Sequence, residues 1–302
     1  MTDPMPAAPY GLCQTLGADL RLVLAPNPSA MTGAGTNSYL LGRRDLAVID
    51  PGPDDADHLA ALMAAVGPGQ RISHILVTHA HRDHSGLARR LAQATGAPVL
   101  AFGDAQAGRS ALMQDLAARE GSAGTEGTDT DFRPDHCLAD GETLGGDGWR
   151  LTALHTPGHF GNHLCLQSGD QLFSGDHVMG WSTSVIAPPD GDMGAYMRSL
   201  GRLRQAAAGR LWPGHGAPVD DPAARIDALA AHRRARAQAI RQGLLAGPAT
   251  ATTLAREIYH DIPAALLGMA ALNVFAHLIE MTEENMAEPQ VPLRFDTPFR
   301  LK

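Results

Sequence analysis

The chain has 302 residues, of which 44% are hydrophobic, and its formal net charge at pH 7 is −8. This length favours one catalytic domain with an appended segment, and the apolar content is ample for a packed core. The negative charge argues against a protein-wide field that attracts nucleic acid, although it leaves room for a local basic patch. The three cysteines form no CxxC pair, which is typical of a reducing compartment.

The N-terminus and the apolar runs predict a cytoplasmic protein without a membrane partner. Asp3, Pro4 and Pro6 stand where a secretory signal would carry basic residues followed by an apolar core. No uninterrupted apolar run reaches the roughly 18 residues that are needed to cross a bilayer.

Strand-like runs and helical spacings alternate through the first hundred residues. They are strands at Leu20–Leu24, Ser38–Leu41 and Leu46–Ile49, a helix over Asp54–Val66, a strand at Ile72–Val77, a helix over Leu87–Ala94 and a strand near Pro98–Phe102. This alternation predicts a layered domain of strands and helices. Residues 103–148 are less legible, with a helix expected over Ala105–Arg119 and a loop over Gly121–Asp131.

The segment Thr78–Gly86 follows a strand-like run and carries three histidines and one aspartate. Residues two apart in extended backbone point the same way, so His79 and His81 project from one face. Asp83 and His84 fall where the chain turns into a helix, so their side chains leave the backbone in another direction. Four potential ligands in two directional pairs predict two adjacent metal ions.

Three later segments also place histidine or aspartate where a strand-like run gives way to a loop. They are His155–His163, Phe173–His177 and Leu211–Gly216. Ligands on loops at one edge of a rigid sheet are a common way to build a site.

Together these motifs resemble the metallo-β-lactamase superfamily, in order and over about residues 15–220. The motifs are His79-Ala80-His81-Arg82-Asp83-His84, the Thr-Pro-Gly-His stretch that ends at His163, Gly175-Asp176 and Pro213-Gly214-His215. The resemblance implies an α+β fold. It is a four-layer αββα sandwich of two similar halves, with metals at one edge between the sheets.

The resemblance also implies seven metal ligands. The ligands of the first metal are His79, His81 and His163. Those of the second are Asp83, His84 and His215, and Asp176 bridges both metals. Of the two histidines in Thr-Pro-Gly-His-x-x-x-His, it selects His163 over His159. Five imidazoles and two carboxylates favour two Zn²⁺ per chain, although Mn²⁺ and iron take the same ligand types. His155, His159 and His177 are left as candidates for orienting a ligand imidazole.

This ligand set predicts a metal-dependent hydrolase. Two divalent cations about 3.5–4 Å apart share a water and lower its pKa, so that a metal-bridging hydroxide attacks a carbonyl carbon or a phosphorus. Asp83 and Asp176 are the predicted catalytic residues. The resemblance gives Asp83 the role of orienting the nucleophile or passing a proton to the leaving group.

A narrower resemblance is to the β-lactamase-like protein 2 subgroup, which includes a single-strand-directed endoribonuclease. It rests on Leu24–Ser29, Gly35–Leu40, Gly175–Gly180 and Pro188–Asp192. It implies a catalytic domain at residues 1–221 and a winged-helix-like domain at residues 222–302. Helices are expected at Pro222–Leu245, Thr252–Tyr259 and Ala264–Met281, with a β-wing in Val291–Leu301.

Several functions stay open. The first is cleavage of phosphodiesters in single-stranded RNA, with the arginines of the first tail helix guiding the RNA backbone. These arginines are Arg225, Arg233, Arg234, Arg236 and Arg241, and the alternative for them is a solvated helical face.

Other functions fit the same ligands. A glyoxalase II-like thioesterase, or another ester or lactone hydrolase, would use a small-molecule substrate. A single-iron oxygenase and a non-enzymatic nucleic-acid-binding module are further alternatives, and a true β-lactamase is disfavoured. The expected partner is therefore RNA or a small ester or thioester, and a homodimer is also open.

Overall fold

The computed structural model describes residues 9–120, 127–290 and 292–302. Within these ranges the chain forms two main β-sheets and a small third sheet. The first sheet contains, in spatial order, β1 (Cys13–Thr15), β2 (Leu20–Leu24), β3 (Asn37–Leu41), β4 (Asp45–Ile49), β5 (Arg71–Leu76), β6 (Val99–Ala101) and β7 (His136–Cys137). The second contains β8 (Thr143–Gly146), β9 (Trp149–His155), β10 (Leu164–Ser168), β11 (Gln171–Gly175) and β12 (Arg210–Pro213).

The helices cover the outer faces of the sheets and form most of the C-terminal region. They are α1 (Ala56–Ala64), α2 (Arg82–Ser85), α3 (Ala88–Thr95), α4 (Ala111–Glu120), α5 (Met193–Ala206), α6 (Pro222–Leu245), α7 (Ala251–Ile258) and α8 (Leu267–Glu283). A 3-10 turn at Ala264–Leu266 precedes α8, and β13 (Ala287–Pro289) pairs antiparallel with β14 (Phe299–Leu301).

Strand β4 shows how the first sheet is buried on both faces. Leu46 and Val48 point into a core shared with α1 and α3, whereas Ala47 and Ile49 point into the core between the two sheets. Successive side chains of a strand face opposite sides, so a strand covered on both sides reads as a continuous apolar run.

The second sheet is covered in the same way. Phe173 of β11 faces the first sheet, where its ring meets Tyr39 edge-on with centroids 5.2 Å apart. Its neighbour Leu172 faces outward and shares a core with Leu200 of α5 and Ile226 of α6. The layers therefore run α, β, β, α, which confirms the predicted sandwich.

The C-terminal region has an apolar core of its own. Buried side chains from α6, α7, α8 and β14 meet there, among them Ile240, Leu254, Phe275 and Phe299. Helix α4 contributes Met113 to the same cluster. The catalytic layers and the C-terminal region thus share buried contacts, and the predicted boundary at residue 221 stays a prediction.

One segment, Ala264–Glu283, is long and apolar enough to cross a membrane, but half of its most apolar window is buried inside the protein. Its side chains Val274, Phe275 and Leu278 are buried in the C-terminal core. We therefore interpret it as a core helix.

The least legible part of the sequence is also where the predicted elements differ most. The helix expected from Ala105 begins only at Ala111, because the Asp104 carboxylate accepts hydrogen bonds from the backbone N–H of Gln106 and Ala107 and so forms a turn. Strands β7 and β8 in this region were not predicted. The expected loop over Gly121–Asp131 lies partly outside the described residues, as does the first residue of the expected wing.

Candidate metal centre

The carboxyl ends of four strands meet at one edge of the sandwich. Strands β4 and β5 are parallel, and so are β11 and β12. Asp50 follows β4, His79 follows β5, Asp176 follows β11 and His215 follows β12. Since parallel strands end at the same edge, their following loops bring these polar side chains together.

Asn37 fixes the two sheets to each other at this edge. Its backbone N–H donates to the carbonyl of Gly214 at 2.8 Å, and its side-chain amide donates to the carbonyls of Pro213 at 3.0 Å and Gly216 at 2.9 Å. These bonds enclose His215, so its loop in the second sheet is held by a strand of the first.

The first group of candidate ligands consists of His79, His81 and His159, whose ligand atoms all lie within 4.8 Å of one another. The Nδ1 atom of His81 lies 2.9 Å from His79 Nε2 and 3.1 Å from His159 Nε2. Three imidazole nitrogens are therefore directed at one point.

Hydrogen bonds on the far side of two of these rings fix their tautomers. His159 Nδ1–H donates to the carbonyl of Val185 at 2.7 Å. Thr78 donates its hydroxyl to Asp50, so His79 Nδ1–H donates to Thr78 Oγ1 at 3.0 Å. Both Nε2 atoms consequently present lone pairs to the point where the group converges.

The second group consists of Asp83, His84 and His215, which also lie within 4.8 Å of one another. The two Nε2 atoms are 3.2 Å apart, and the Asp83 carboxylate is 3.2 Å from His215 Nε2 and 3.6 Å from His84 Nε2. His84 Nδ1–H donates to Asp50 at 2.9 Å, and His215 Nδ1–H donates to the carbonyl of Gly35 at 3.1 Å. The Nε2 lone pairs again face the centre of the group.

Asp176 lies between the two groups. Its Oδ1 is 3.5 Å from His84 Nε2, and its Oδ2 is 3.4 Å from His215 Nε2 and 3.8 Å from His159 Nε2. The side chain is buried, and across the described ranges its Oδ1 accepts no hydrogen bond. This is the placement that a bridging carboxylate requires.

His163, selected from the sequence, lies behind the first group and belongs to none of the three-residue ligand groups that the described residues form. Its Nδ1–H donates to Thr156 Oγ1 at 2.9 Å. Its Nε2 lies against Gly175, where an added Cβ would come within 2.6 Å of that nitrogen. The geometry thus favours His159, which the sequence analysis had placed among the orienting histidines.

The donor set fits divalent cations. Lone pairs of imidazole nitrogens 2.9–3.2 Å apart repel one another unless a proton or a cation lies between them. A Zn–N bond of about 2.0–2.1 Å allows nitrogens at this spacing to share one ion. The unpaired Oδ1 of Asp176, buried among these nitrogens, is explained in the same way.

The two groups differ in their proton affinity. Burial lowers the pKa of His79 well below its ordinary value and that of His81 to about 4, and neighbouring imidazoles lower both further. Burial alone would also lower the pKa of His84 and His215, but nearby carboxylates, Asp176 first, outweigh it. They raise the pKa of His84 well above its ordinary value and that of His215 to about 9. A cation at the second group therefore competes with protons.

Sequence reasoning did not single out Asp50, which directly follows the predicted strand Leu46–Ile49. The Asp50 carboxylate accepts hydrogen bonds from His84, from the Thr78 hydroxyl and from the Thr78 N–H at 2.8 Å. It therefore orients both ends of the segment from Thr78 to His84, which carries the first four candidate ligands. The available signal was its position directly after a buried strand, which it shares with Asp176.

Two other predicted orienting histidines do not contact a candidate ligand through hydrogen bonds. His155 stacks on Phe102 with centroids 3.6 Å apart and donates from Nε2 to the carbonyl of Gly161. His177 is buried beside Tyr196, and neither of its ring nitrogens has a hydrogen-bond partner within the described ranges.

Two arginines of α6 bind the loop that follows Asp176. Arg225 donates to the carbonyls of Met179 at 2.6 Å and Ser182 at 2.5 Å. Arg233, only 2% exposed, donates to the carbonyl of Ser184. The Ser184 hydroxyl in turn donates to the backbone carbonyl of Asp176. Both arginines therefore hold the loop beside the candidate metal centre. Arg233 is buried and Arg225 is half-buried, so neither presents the fully exposed side chain that a guide for RNA would require.

The sequence pattern of the Metallo-beta-lactamase superfamily matches residues 31–215 of the chain. The chain belongs to this superfamily. Its homologues in this superfamily are metal-dependent hydrolases. The chain is therefore a hydrolase with a His/Asp metal-binding cluster.

Individual relatives agree with this membership. The beta-lactamase-like protein 2 homolog of Drosophila melanogaster is 30% identical over 269 residues, which are 87% of this chain and 87% of the relative. This supports the narrower resemblance.

Two solved structures extend the comparison. A metallo-beta-lactamase family protein from Thermus thermophilus is 25% identical, with a TM-score of 0.76, and the match covers 95% of this chain and 100% of that one. Another relative, solved in a di-iron-bound form, is 30% identical with a TM-score of 0.50 over 67% of this chain and 96% of its own.

Proposed function

We propose that the chain hydrolyses its substrate with two divalent cations, held by the first and second groups with Asp176 between them. The observation that carries this proposal is the convergence of two sets of three ligand atoms on either side of one buried carboxylate. We assign His159 to the first cation in place of His163, on the geometry given above. Zinc is the expected metal, because nitrogen and oxygen ligands without thiolate suit it, and manganese and iron are the alternatives.

The bound cations would supply a nucleophile at neutral pH by lowering the pKa of a bound water, and would withdraw charge from the substrate oxygen that becomes negative. The protein's own contribution is to place and orient. Asp50, Thr78 and Val185 direct the lone pairs of the ligand imidazoles through their far-side hydrogen bonds.

Asp83 is the group best placed to handle a proton. Its side chain is 29% exposed, against 10% for that of Asp176, so it is the more accessible of the two carboxylates. Its carboxylate could accept a hydrogen bond from the attacking water and then pass the proton to the leaving group.

Single-stranded RNA is our first proposed substrate. The subgroup resemblance supports it, and Arg82, which is exposed, directly precedes Asp83 in the chain. Arg234 and Arg241 of α6 are also exposed, and they are the remaining candidates for phosphate contacts.

A small ester or thioester is the second candidate, and the environment of α6 favours it. Arg225 and Arg233 are engaged with the loop that follows Asp176, and Arg236 lies over the ring of Tyr259 at 4.3 Å. Three of the five arginines proposed to guide RNA therefore have other partners. The net charge of −8 agrees with a substrate other than a polyanion.

A hydrolysis panel tests these proposals. The metal-loaded protein is given single-stranded RNA, an acyl-glutathione thioester and a lactone, each also with Asp176→Ala. Cleavage of RNA that needs Asp176 supports the first substrate, and loss of that cleavage in Arg234→Gln/Arg241→Gln supports the guiding role. Thioester or lactone turnover with intact RNA selects the second substrate. No Asp176-dependent turnover of any member contradicts both.

The remaining expectations stay predictions. They are the winged-helix character of residues 222–302, the domain boundary at residue 221, a cytoplasmic location and the open question of a homodimer.

A further inference from the structure

Trp181 is a large aromatic side chain left 45% exposed on the loop that follows Asp176. The other two tryptophans of the chain, Trp149 and Trp212, are buried at 6% and 4% exposure. Burying an indole is favourable, so an exposed one beside a metal centre calls for a reason.

The indole ring lies at the rim of the metal centre, against two glycines. A Cβ added to Gly216 would come within 2.4 Å of the Trp181 ring, and one added to Gly33 would lie 3.5 Å from it. Gly216 directly follows His215 of the second group, and Gly33 belongs to the turn between β2 and β3. The ring therefore spans from the second sheet's ligand loop to a loop of the first sheet.

The backbone beneath the ring is held in place. Arg225 donates to the carbonyls of Met179 and Ser182, which stand on either side of Trp181 in the chain. On the opposite loop, Thr32 donates its hydroxyl to the carbonyl of Asn27 at 2.6 Å. A fixed aromatic side chain loses little conformational entropy when a ligand binds to it.

We infer that Trp181 is a platform on which a planar ring of the substrate stacks while the scissile bond lies at the candidate metal centre. This inference rests on the proposed function and deepens it by naming the substrate class: a molecule with a flat unsaturated ring near the reacting bond. Such a ring is a nucleobase in RNA or an aryl group in an ester. Met31, two residues before Gly33 in the same loop, is also left 43% exposed.

The test compares ligands that differ only in the ring. The metal-loaded full chain is titrated by calorimetry with adenosine 5′-monophosphate against ribose 5-phosphate, and with phenylacetamide against cyclohexylacetamide. None of the four carries the scissile bond of a proposed substrate, so the result does not depend on turnover. Indole fluorescence is recorded in parallel, because a ring stacked on the exposed Trp181 should quench it while the two buried indoles are unaffected.

We expect at least one flat ligand to bind more tightly than its ring-free or non-planar counterpart. Trp181→Ala should abolish that preference, with a loss of about tenfold in affinity for the flat ligand, since stacking of one base on an aromatic side chain is worth roughly 1–3 kcal/mol. Trp181→Phe should retain most of it. The control Leu245→Ala, which removes a side chain 65% exposed at the end of α6, should change nothing.

The two ligand pairs distinguish whether the ring that stacks on Trp181 is a nucleobase or an aryl group. A preference for adenosine 5′-monophosphate alone indicates a nucleobase, and a preference for phenylacetamide alone indicates an aryl ester. Equal binding of flat and non-flat ligands, or an unchanged preference in Trp181→Ala, overturns the inference. A preference that requires Trp181 in a protein that hydrolyses nothing in the panel would retain the platform and reject the proposed hydrolytic substrates.

Discussion

Helix α6 connects two regions with different interiors, the polar metal centre and the apolar C-terminal core. Its first half binds the loop beside the metal centre, where His79, His84 and His215 are buried at 1% exposure or less. Its second half lies in the C-terminal core, where Ile240 and Phe275 are buried among apolar side chains. Burial of imidazoles and carboxylates costs free energy unless they are hydrogen-bonded, paired or bound to a metal, whereas burial of apolar side chains stabilises the folded state by itself.

The difference implies that the two regions respond to different changes. Changes in the C-terminal core should mainly alter the free energy of unfolding, and changes at the candidate metal centre should mainly alter metal affinity and hydrolysis. Arg233 connects the two regions most directly, because it reaches from α6 to Ser184 and so to the backbone of Asp176, while Arg225 holds the same loop at Met179 and Ser182.

The largest expected effect is in the apolar core. Phe275→Ala should lower the free energy of unfolding by about 3–5 kcal/mol, because a buried aromatic ring is lost and a cavity remains. Urea denaturation followed by circular dichroism measures it. The folded variant should keep its full metal content, and Leu245→Ala is the matched exposed control. Loss of metal from the folded Phe275 variant would remove the distinction between the regions.

The next effect separates the two histidines of the Thr-Pro-Gly-His-x-x-x-His motif. His159→Ala should lower metal affinity at the first group by more than the roughly 10–100-fold typical of losing an outer-shell partner, because a ligand is removed. His163→Ala should cost less than that. Competition with a coloured chelator gives both affinities. The reverse order would restore His163 as the ligand.

The effect that is smallest at neutral pH, and grows only as the pH falls, concerns His58, which lies outside the metal centre. Its ring is buried with Nε2 2.9 Å from Ser38 Oγ, and burial lowers its pKa from 6.5 to about 4. Because the unfolded chain takes up this proton near pH 6.5 and the folded chain only near pH 4, His58 favours the folded state above pH 6.5. That contribution is lost as the pH falls towards 4, at no more than about 1.4 kcal/mol per pH unit.

The His58→Gln variant isolates this contribution. Denaturation of both proteins between pH 7 and pH 4.5 should give a shallower loss of stability with acid in the variant. Parallel curves for the two proteins would show that His58 does not titrate in this window.

Much of the fold could be predicted because its signals are local. The strand at Leu20–Leu24 and the helix at Pro222–Leu245 were predicted with the bounds that the structure has. The ligand motifs follow strand ends, and strand ends of one edge converge whatever their distance in the chain. Candidate ligands could therefore be placed at one edge from the sequence, whereas their assignment to two groups came from the family resemblance.

The choice between His159 and His163 was different, because it depends on a turn of a few residues. Both follow β9, and spacing alone does not say which ring faces His81. The hydrogen bond from His159 to Val185 turns that ring into the site, and Val185 is remote in sequence. The roles of Arg225 and Arg233 were missed for a similar reason, since their partners lie more than 40 residues away.

Elemental analysis of the purified protein, with and without Asp176→Ala, tests the central claim most directly. The account predicts two divalent ions per wild-type chain. It predicts fewer than two in the variant, with circular dichroism unchanged, because Asp176 lies between both groups. Wild-type protein that binds no metal, or a variant that keeps the full wild-type content, would contradict it.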